Sequence, residues 1–135
     1  MRAENATEQT VLDFFATLGR GDLAQLPSLL HPEVTWRVMG RGVPGAGLHR
    51  GAKAIIEVIG PIRELFEPGS PKGELTSLIS KGSLVVMEMH GGGRLRDGRE
   101  YDNYYAMAVE VRDGLIYAIR EYMDTYYVHT LLKSG

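Results

Sequence analysis

The 135-residue sequence contains no cysteine, which removes disulfides, thiolate nucleophiles and cysteine-held metals at the outset. It has no apolar run near the roughly 18 residues that a membrane-spanning helix needs. Met1 to Thr10 is polar and acidic rather than an apolar leader, so no signal peptide is read there. Neither charge sign dominates: 15 basic side chains stand against 17 acidic ones, a net charge of −2. The basic residues between Arg94 and Lys133 are matched by acids, leaving no cationic stripe for nucleic acid. These absences lead to the expectation of a soluble, cytoplasmic protein that engages neither nucleic acid nor membrane, in keeping with a reducing compartment.

What is present is ordinary globular material, 44% apolar and 24% charged, in a length that suits one domain spanning residues 1–135. Asn5-Ala6-Thr7-Glu8 is a capping box ahead of Val11, Phe14, Phe15 and Leu18 at helical spacing. Gly19 and Gly21 end that helix. Asp22 caps a second, shorter one carrying Leu23, Leu26, Leu29 and Leu30, which His31-Pro32 stops. Glu33 to Met39 reads as a strand, followed by a glycine-rich loop from Gly40 to Gly51. A third helix from Ala52 to Phe66 should break or kink at Gly60-Pro61. Four strands follow, Glu74–Ser80, Ser83–Gly91, Tyr101–Arg112 and Leu115–Asp124. Tight turns are marked by Lys81-Gly82 and Asp113-Gly114, and a longer, mobile connection by Gly91–Arg99. A short helix over Tyr126 to Leu132 closes the chain. Helices first and an antiparallel meander afterwards define an α+β fold.

Gly40-Arg41-Gly42-Val43-Pro44-Gly45 matches G-x-G-x-x-G, but Pro44 interrupts it and no parallel βαβ unit surrounds it, so no dinucleotide site is read there. His31, His49 and His129 have no metal-ligand spacing, and no metal or cofactor is expected. Glu88 and His90, two apart on an apolar strand, share one face. They are either an acid/base pair in a pocket or a face that meets water. Glu121 shares its face with Ile119 and Met123, as a pocket carboxylate or as an acceptor for a buried donor. Asn103, between Tyr101 and Tyr105, holds a ligand oxygen or ties down its neighbours. Trp36 lies with Val34 and Val38, as core or as pocket wall.

Three segments carry a family resemblance: Val11-Leu12-Asp13-Phe14-Phe15 with Gly21-Asp22, Leu30-His31-Pro32-Glu33-Val34-Thr35-Trp36, and Val111-Arg112-Asp113-Gly114-Leu115-Ile116 leading to Arg120-Glu121-Tyr122-Met123-Asp124. They resemble the nuclear transport factor 2-like fold, in the branch of SnoaL-like polyketide cyclases, ketosteroid isomerases and limonene-epoxide hydrolases. The resemblance implies helices packed on a curved, mostly antiparallel sheet that forms a cone-shaped pocket. The hydrolases' Arg-x-Asp falls at Glu88-Met89-His90, their second Asp at Glu121 and their Tyr-x-Asn at Trp36-Arg37-Val38. The isomerases' Tyr and Asp fall at Phe14 and Val38. The positions align while the residue types differ.

The implied activity is cofactor-free acid/base chemistry by Glu88, His90 and Glu121: isomerase, cyclase, hydratase or hydrolase. The substrate would be a small apolar polyketide-, steroid- or terpenoid-like molecule held by Trp36, Val38, Asn103, Tyr105, Ile119 and Met123. The alternatives are a catalytically silent binding or assembly module, and a protein-docking domain. Apolar residues on both faces of Ser83–Gly91 add the expectation of a homodimer. Its outer face would carry Val85, Met87 and Met89, with Tyr104, Ala106 and Ala108 from the next strand.

Overall fold

The computed structural model describes residues 2–133. The chain runs α1 (Ala6–Gly19), a 3₁₀ turn (Leu26–Leu29), β1 (Leu30–Val38), β2 (Gly47–Arg50), α2 (Ala52–Arg63), β3 (Lys72–Lys81), β4 (Leu84–Arg94), β5 (Glu100–Arg112), β6 (Leu115–Met123) and α3 (Thr125–Lys133). The strands form one six-stranded sheet in the order β2-β1-β6-β5-β4-β3. Its pairings are antiparallel except for β1 with β6, which run parallel. The fold is α+β, three helices on a curved and mostly antiparallel sheet.

Local chemistry accounts for two of the element boundaries. The Asn5 side chain accepts from the Glu8 backbone N–H at 2.8 Å and opens α1. Glu8 itself turns to the Glu4 N–H and the Ser80 hydroxyl, tying the helix start to β3. Asp113 and Gly114 both take positive φ, 54° and 71°, as an Asp-Gly hairpin turn requires.

Five expectations are corrected, the first being the Gly40–Gly51 loop, whose last part is the strand β2 paired with β1. The helix after Asp22 is only the 3₁₀ turn, because Pro27 sits at its start and just Ser28 and Leu29 follow before the strand. The strand β1 begins at Leu30 and absorbs Pro32. The ladder with β6 shifts register between Leu30 and Thr35, so no regular backbone bond is lost there. Of the break or kink expected at Gly60-Pro61, no break occurs: α2 continues past Pro61 but ends at Arg63, short of Phe66. Finally, Gly91 to Arg94 is not loop: it continues β4 and pairs with β5 as far as Glu100.

One face of the sheet meets α1 and α2, and the register decides which residues lie there. Val85, Met87 and Met89 on β4 stand opposite Val109, Met107 and Tyr105 on β5. Met107, Val109 and Tyr105 in turn pair with Glu121, Ile119 and Met123 on β6. Ile119 and Glu121 pair with Trp36 and Val38 on β1. This is the inner face, closed by Val11 and Phe14 of α1 and Ile55 of α2, all three at most 1% exposed.

Candidate active site

The inner sheet face and the helices enclose a cavity of two connected lobes. The first, between the sheet, α2 and α3, holds about 740 Å³ of empty space. The second, beneath the end of α1, holds about 1380 Å³, both figures including the open mouths. The walls are largely apolar. Trp36, Tyr101, Tyr105 and Glu121 line both lobes, as do Ile59, Ile62 and Phe66 across from them.

Glu121 is the carboxyl group at this centre. The Trp36 indole N–H donates to its Oε1 at 3.0 Å. No buried side-chain nitrogen or oxygen among the described residues lacks a partner, so the other carboxyl oxygen, which no protein donor meets, is open to the cavity. The side chain is surrounded by protein, and the little surface it keeps faces the cavity. Desolvation pushes its pKa up to about 7, against the opposing pull of the Trp36 hydrogen bond. Glu121 can therefore hold or release a proton near neutrality, as a general acid or base must.

Tyr101 and Tyr105 share a hydrogen bond between their hydroxyls at 2.6 Å. The Asn103 amide donates to the Tyr101 oxygen at 2.9 Å. Two hydroxyl protons thus serve the pair, and only one lies between the rings. The other is left for an acceptor in the cavity. Burial raises both phenol pKa values and the nearby Glu121 carboxylate raises them further, so both stay protonated and able to donate.

A run of small residues makes room for this arrangement. Gly91 lies opposite Asn103 on the inner face. A Cβ there would stand 2.9 Å from Cε1 of Tyr105, closer than carbon atoms tolerate. Gly93 is likewise tight against Phe66 and Pro71. Gly91 and Gly93 therefore keep the inner face free of side chains beneath the aromatic rings, whereas Gly92 alternates to the other face.

The structure distributes the residues named from the sequence as follows. Trp36, Val38, Tyr105, Glu121 and Met123 line the cavity. Asn103 and Ile119 lie behind it, each 1% exposed, with Asn103 orienting Tyr101 and accepting from the Tyr104 N–H. Glu88 and His90 do not belong to the site. Strand alternation points them to the outer face, opposite Ala106 and Tyr104, because Val85, Met87 and Met89 occupy the helix side. Glu88 there accepts from the Ser77 hydroxyl at 2.8 Å. His90 pairs with Asp102 and stacks on Tyr104 at 4.6 Å between ring centroids. The same register moves Val85, Met87 and Met89 off the outer face proposed for dimer contact.

Among the lining groups that the sequence does not single out as site residues are Tyr101 and His49. Tyr101 shares the Asn103–Tyr105 alternation and was legible in it. His49 on β2 stands opposite Trp36 and lines the first lobe, but its own strand of four residues is too short to give a periodic signal. Its Nε2 meets the Gly45 carbonyl at 2.6 Å. A carbonyl only accepts, so that nitrogen carries the proton. Among the described residues no three His, Asp or Glu side chains are grouped as a metal ion would require.

A curved sheet closed by helices over a largely apolar cavity is the architecture of the nuclear transport factor 2-like fold. Within it, residues 11–119 match the SnoaL-like domain, and the chain belongs to that family. Among solved structures, a nuclear transport factor 2-like protein from Burkholderia xenovorans LB400 is 27% identical, with 93% of this chain and 94% of that one covered and a TM-score of 0.74. TerC, co-crystallised with polyporic acid, is 21% identical over 96% and 99% of the chains, with a TM-score of 0.83. A Jannaschia sp. CCS1 protein provisionally described as a SnoaL-like polyketide cyclase is 17% identical over 100% and 98%, at 0.82. Among curated proteins none matches the sequence significantly.

Proposed function

We propose that this protein is a cofactor-free isomerase or cyclase that enolises a polyketide-like carbonyl compound. The observation that carries the reading is the Glu121 carboxyl group, held by Trp36 in an apolar cavity beside the paired hydroxyls of Tyr101 and Tyr105. As the carboxylate, Glu121 takes the proton from the carbon next to the substrate carbonyl. The C–H electron pair forms the enolate, and the free tyrosine hydroxyl donates to its oxygen as charge develops there. Two outcomes follow from that intermediate. Glu121 returns the proton to another carbon, which isomerises the substrate. Alternatively, the enolate carbon attacks a second carbonyl, whose oxygen takes up the proton, which closes a ring. SnoaL-like membership and neighbours described as polyketide cyclases support this class.

The test is deuterium uptake from D₂O at the α-carbon of aryl ketones and 1,3-diketones, followed by proton NMR. Glu121→Gln keeps the side-chain shape and the acceptor for Trp36 but removes the base. Exchange is expected to fall about 10²- to 10⁴-fold. Exchange at the wild-type rate in that variant would remove Glu121 from the mechanism. A catalytically silent binding module, the competing reading, predicts ligand binding with no exchange in either protein.

A further inference from the structure

The position of the polar groups within the cavity constrains the shape of the substrate. The groups proposed to act on it, Glu121, Tyr101 and Tyr105, line both lobes and so lie at the waist between them. Ile59, Ile62 and Phe66 line both lobes too and narrow the passage from the α2 side. Apolar space extends from the waist in two directions. In the first lobe it is bounded by Ile55, Val58, Met123 and Val128. In the second it is bounded by Leu12, Phe15, Leu75 and Met89.

A ketone whose carbonyl is at one end can bring that end to the waist and fill one lobe only. Water is then left against the apolar wall of the other. A molecule with its carbonyl in the middle fills both lobes and still presents the carbonyl to the hydroxyls and its α-carbon to the carboxylate. We propose that the site takes carbonyl compounds of this second kind, in which the reacting carbonyl is interior and flanked on both sides by apolar arms. Diaryl ketones fit; small terminal ketones do not. This assignment rests on the enolisation reading of the same site and specifies its substrate class.

Two isomeric ketones separate the possibilities without a difference in size or composition. Deoxybenzoin carries its carbonyl and an enolisable CH₂ between two phenyl rings. In 4-acetylbiphenyl both rings are on one side. Trp36, the one tryptophan of the chain, stands at the waist and reports binding of either ketone through its fluorescence. Two substitutions fill one lobe each. Val58→Phe narrows the first. Gly73→Phe projects into the second, since Gly73 stands opposite Gly91 on the inner face and a Cβ there reaches Met89 at 3.4 Å.

Deoxybenzoin is expected to bind about tenfold more tightly than 4-acetylbiphenyl, and each substitution to weaken it about tenfold, the loss of roughly one buried arm's contacts. Melting temperatures check that the variants fold, and Val58→Leu and Gly73→Leu serve where phenylalanine is not accommodated. Equal or tighter binding of 4-acetylbiphenyl overturns the assignment. So does a response of deoxybenzoin to the substitution in one lobe alone. Binding is read here without turnover, so either failure is distinct from an absence of deuterium exchange, which bears on the role of Glu121.

Discussion

Glu121 is held in a place that favours its uncharged form, and this has a consequence for stability as well as for catalysis. Its pKa in the folded protein, about 7, lies above the ordinary carboxylate range. Between that range and pH 7 the native state therefore binds the proton that the unfolded chain has released, and stability falls as pH rises through the interval. Above pH 7 the charged form costs the fold on the order of 3 kcal/mol. Glu121→Gln removes the cost and keeps the acceptor for the Trp36 N–H. The variant is expected to melt higher than the wild type at pH 8 and at nearly the same temperature at pH 4. A variant that melts lower at pH 8 would show that the carboxylate is stabilised by its surroundings. At this scale the sequence was legible where a residue's own face was apolar. Alternation with Ile119 and Met123 carried Glu121 to the inner face, and alternation with Val34 and Val38 carried Trp36. For Glu88 and His90 it placed the two together without saying which side the helices cover. The register with β5, which no single strand contains, assigns them outward.

Elements were legible where capping or turn chemistry marks an end, as at Asn5 and at Asp113-Gly114, and obscure where tertiary pairing overrides a local breaker. Proline at position 32 reads as a stop, yet it falls in the register shift of β1. Glycines 91 to 93 read as a loop, yet two strands pair with them. The smallness of Gly91 and Gly93 answers to the aromatic rings above rather than to backbone freedom, and this gives β4 a functional end. Gly91→Ala places a methyl group where Tyr105 Cε1 stands, at 2.9 Å. The ring must shift, and the 2.6 Å contact with Tyr101 shifts with it. Because Gly91 sits in a regular strand that alanine can adopt, the expected result is a small change in melting temperature with a fall of about 10²- to 10³-fold in ketone exchange, the range that one lost oxyanion donor spans. A crystal structure of the variant with Tyr105 unmoved would contradict the account. Gly98→Ala, in a position with nothing within 4 Å of the added carbon, tests steric crowding separately, although its positive φ of 92° brings a backbone cost of its own.

At the scale of the whole molecule the sheet has a face that no helix among the described residues covers. The three helices and the cavity take up the inner side. The outer side presents Val86, Glu88 and His90 of β4, Tyr104, Ala106 and Ala108 of β5, and Arg120 and Tyr122 of β6, as the pairings require. Val86 is 37% exposed, Tyr104 66% and Tyr122 44%, which is much aromatic and aliphatic surface for the middle of a sheet. The His90–Tyr104 stack and the Arg120–Glu110 pair, at 3.0 Å, lie flat on it. We propose that a second copy of this chain covers the face in an isologous dimer. In such a contact Tyr104 of each protomer meets the central strands of the other, so a charge introduced there is buried twice per dimer. Tyr104→Glu is expected to convert the dimer to a monomer at micromolar concentration, measured by light scattering. Tyr126→Glu is the matched control: its ring is 78% exposed but stands on α3, away from the sheet face. A wild-type protein that scatters as a clean monomer at that concentration, or a Tyr104→Glu variant that remains dimeric, would remove the sheet face as the interface. Because Glu121 and the tyrosine pair lie on the opposite side of the sheet, the monomeric Tyr104→Glu protein is expected to keep ketone exchange close to the wild-type rate.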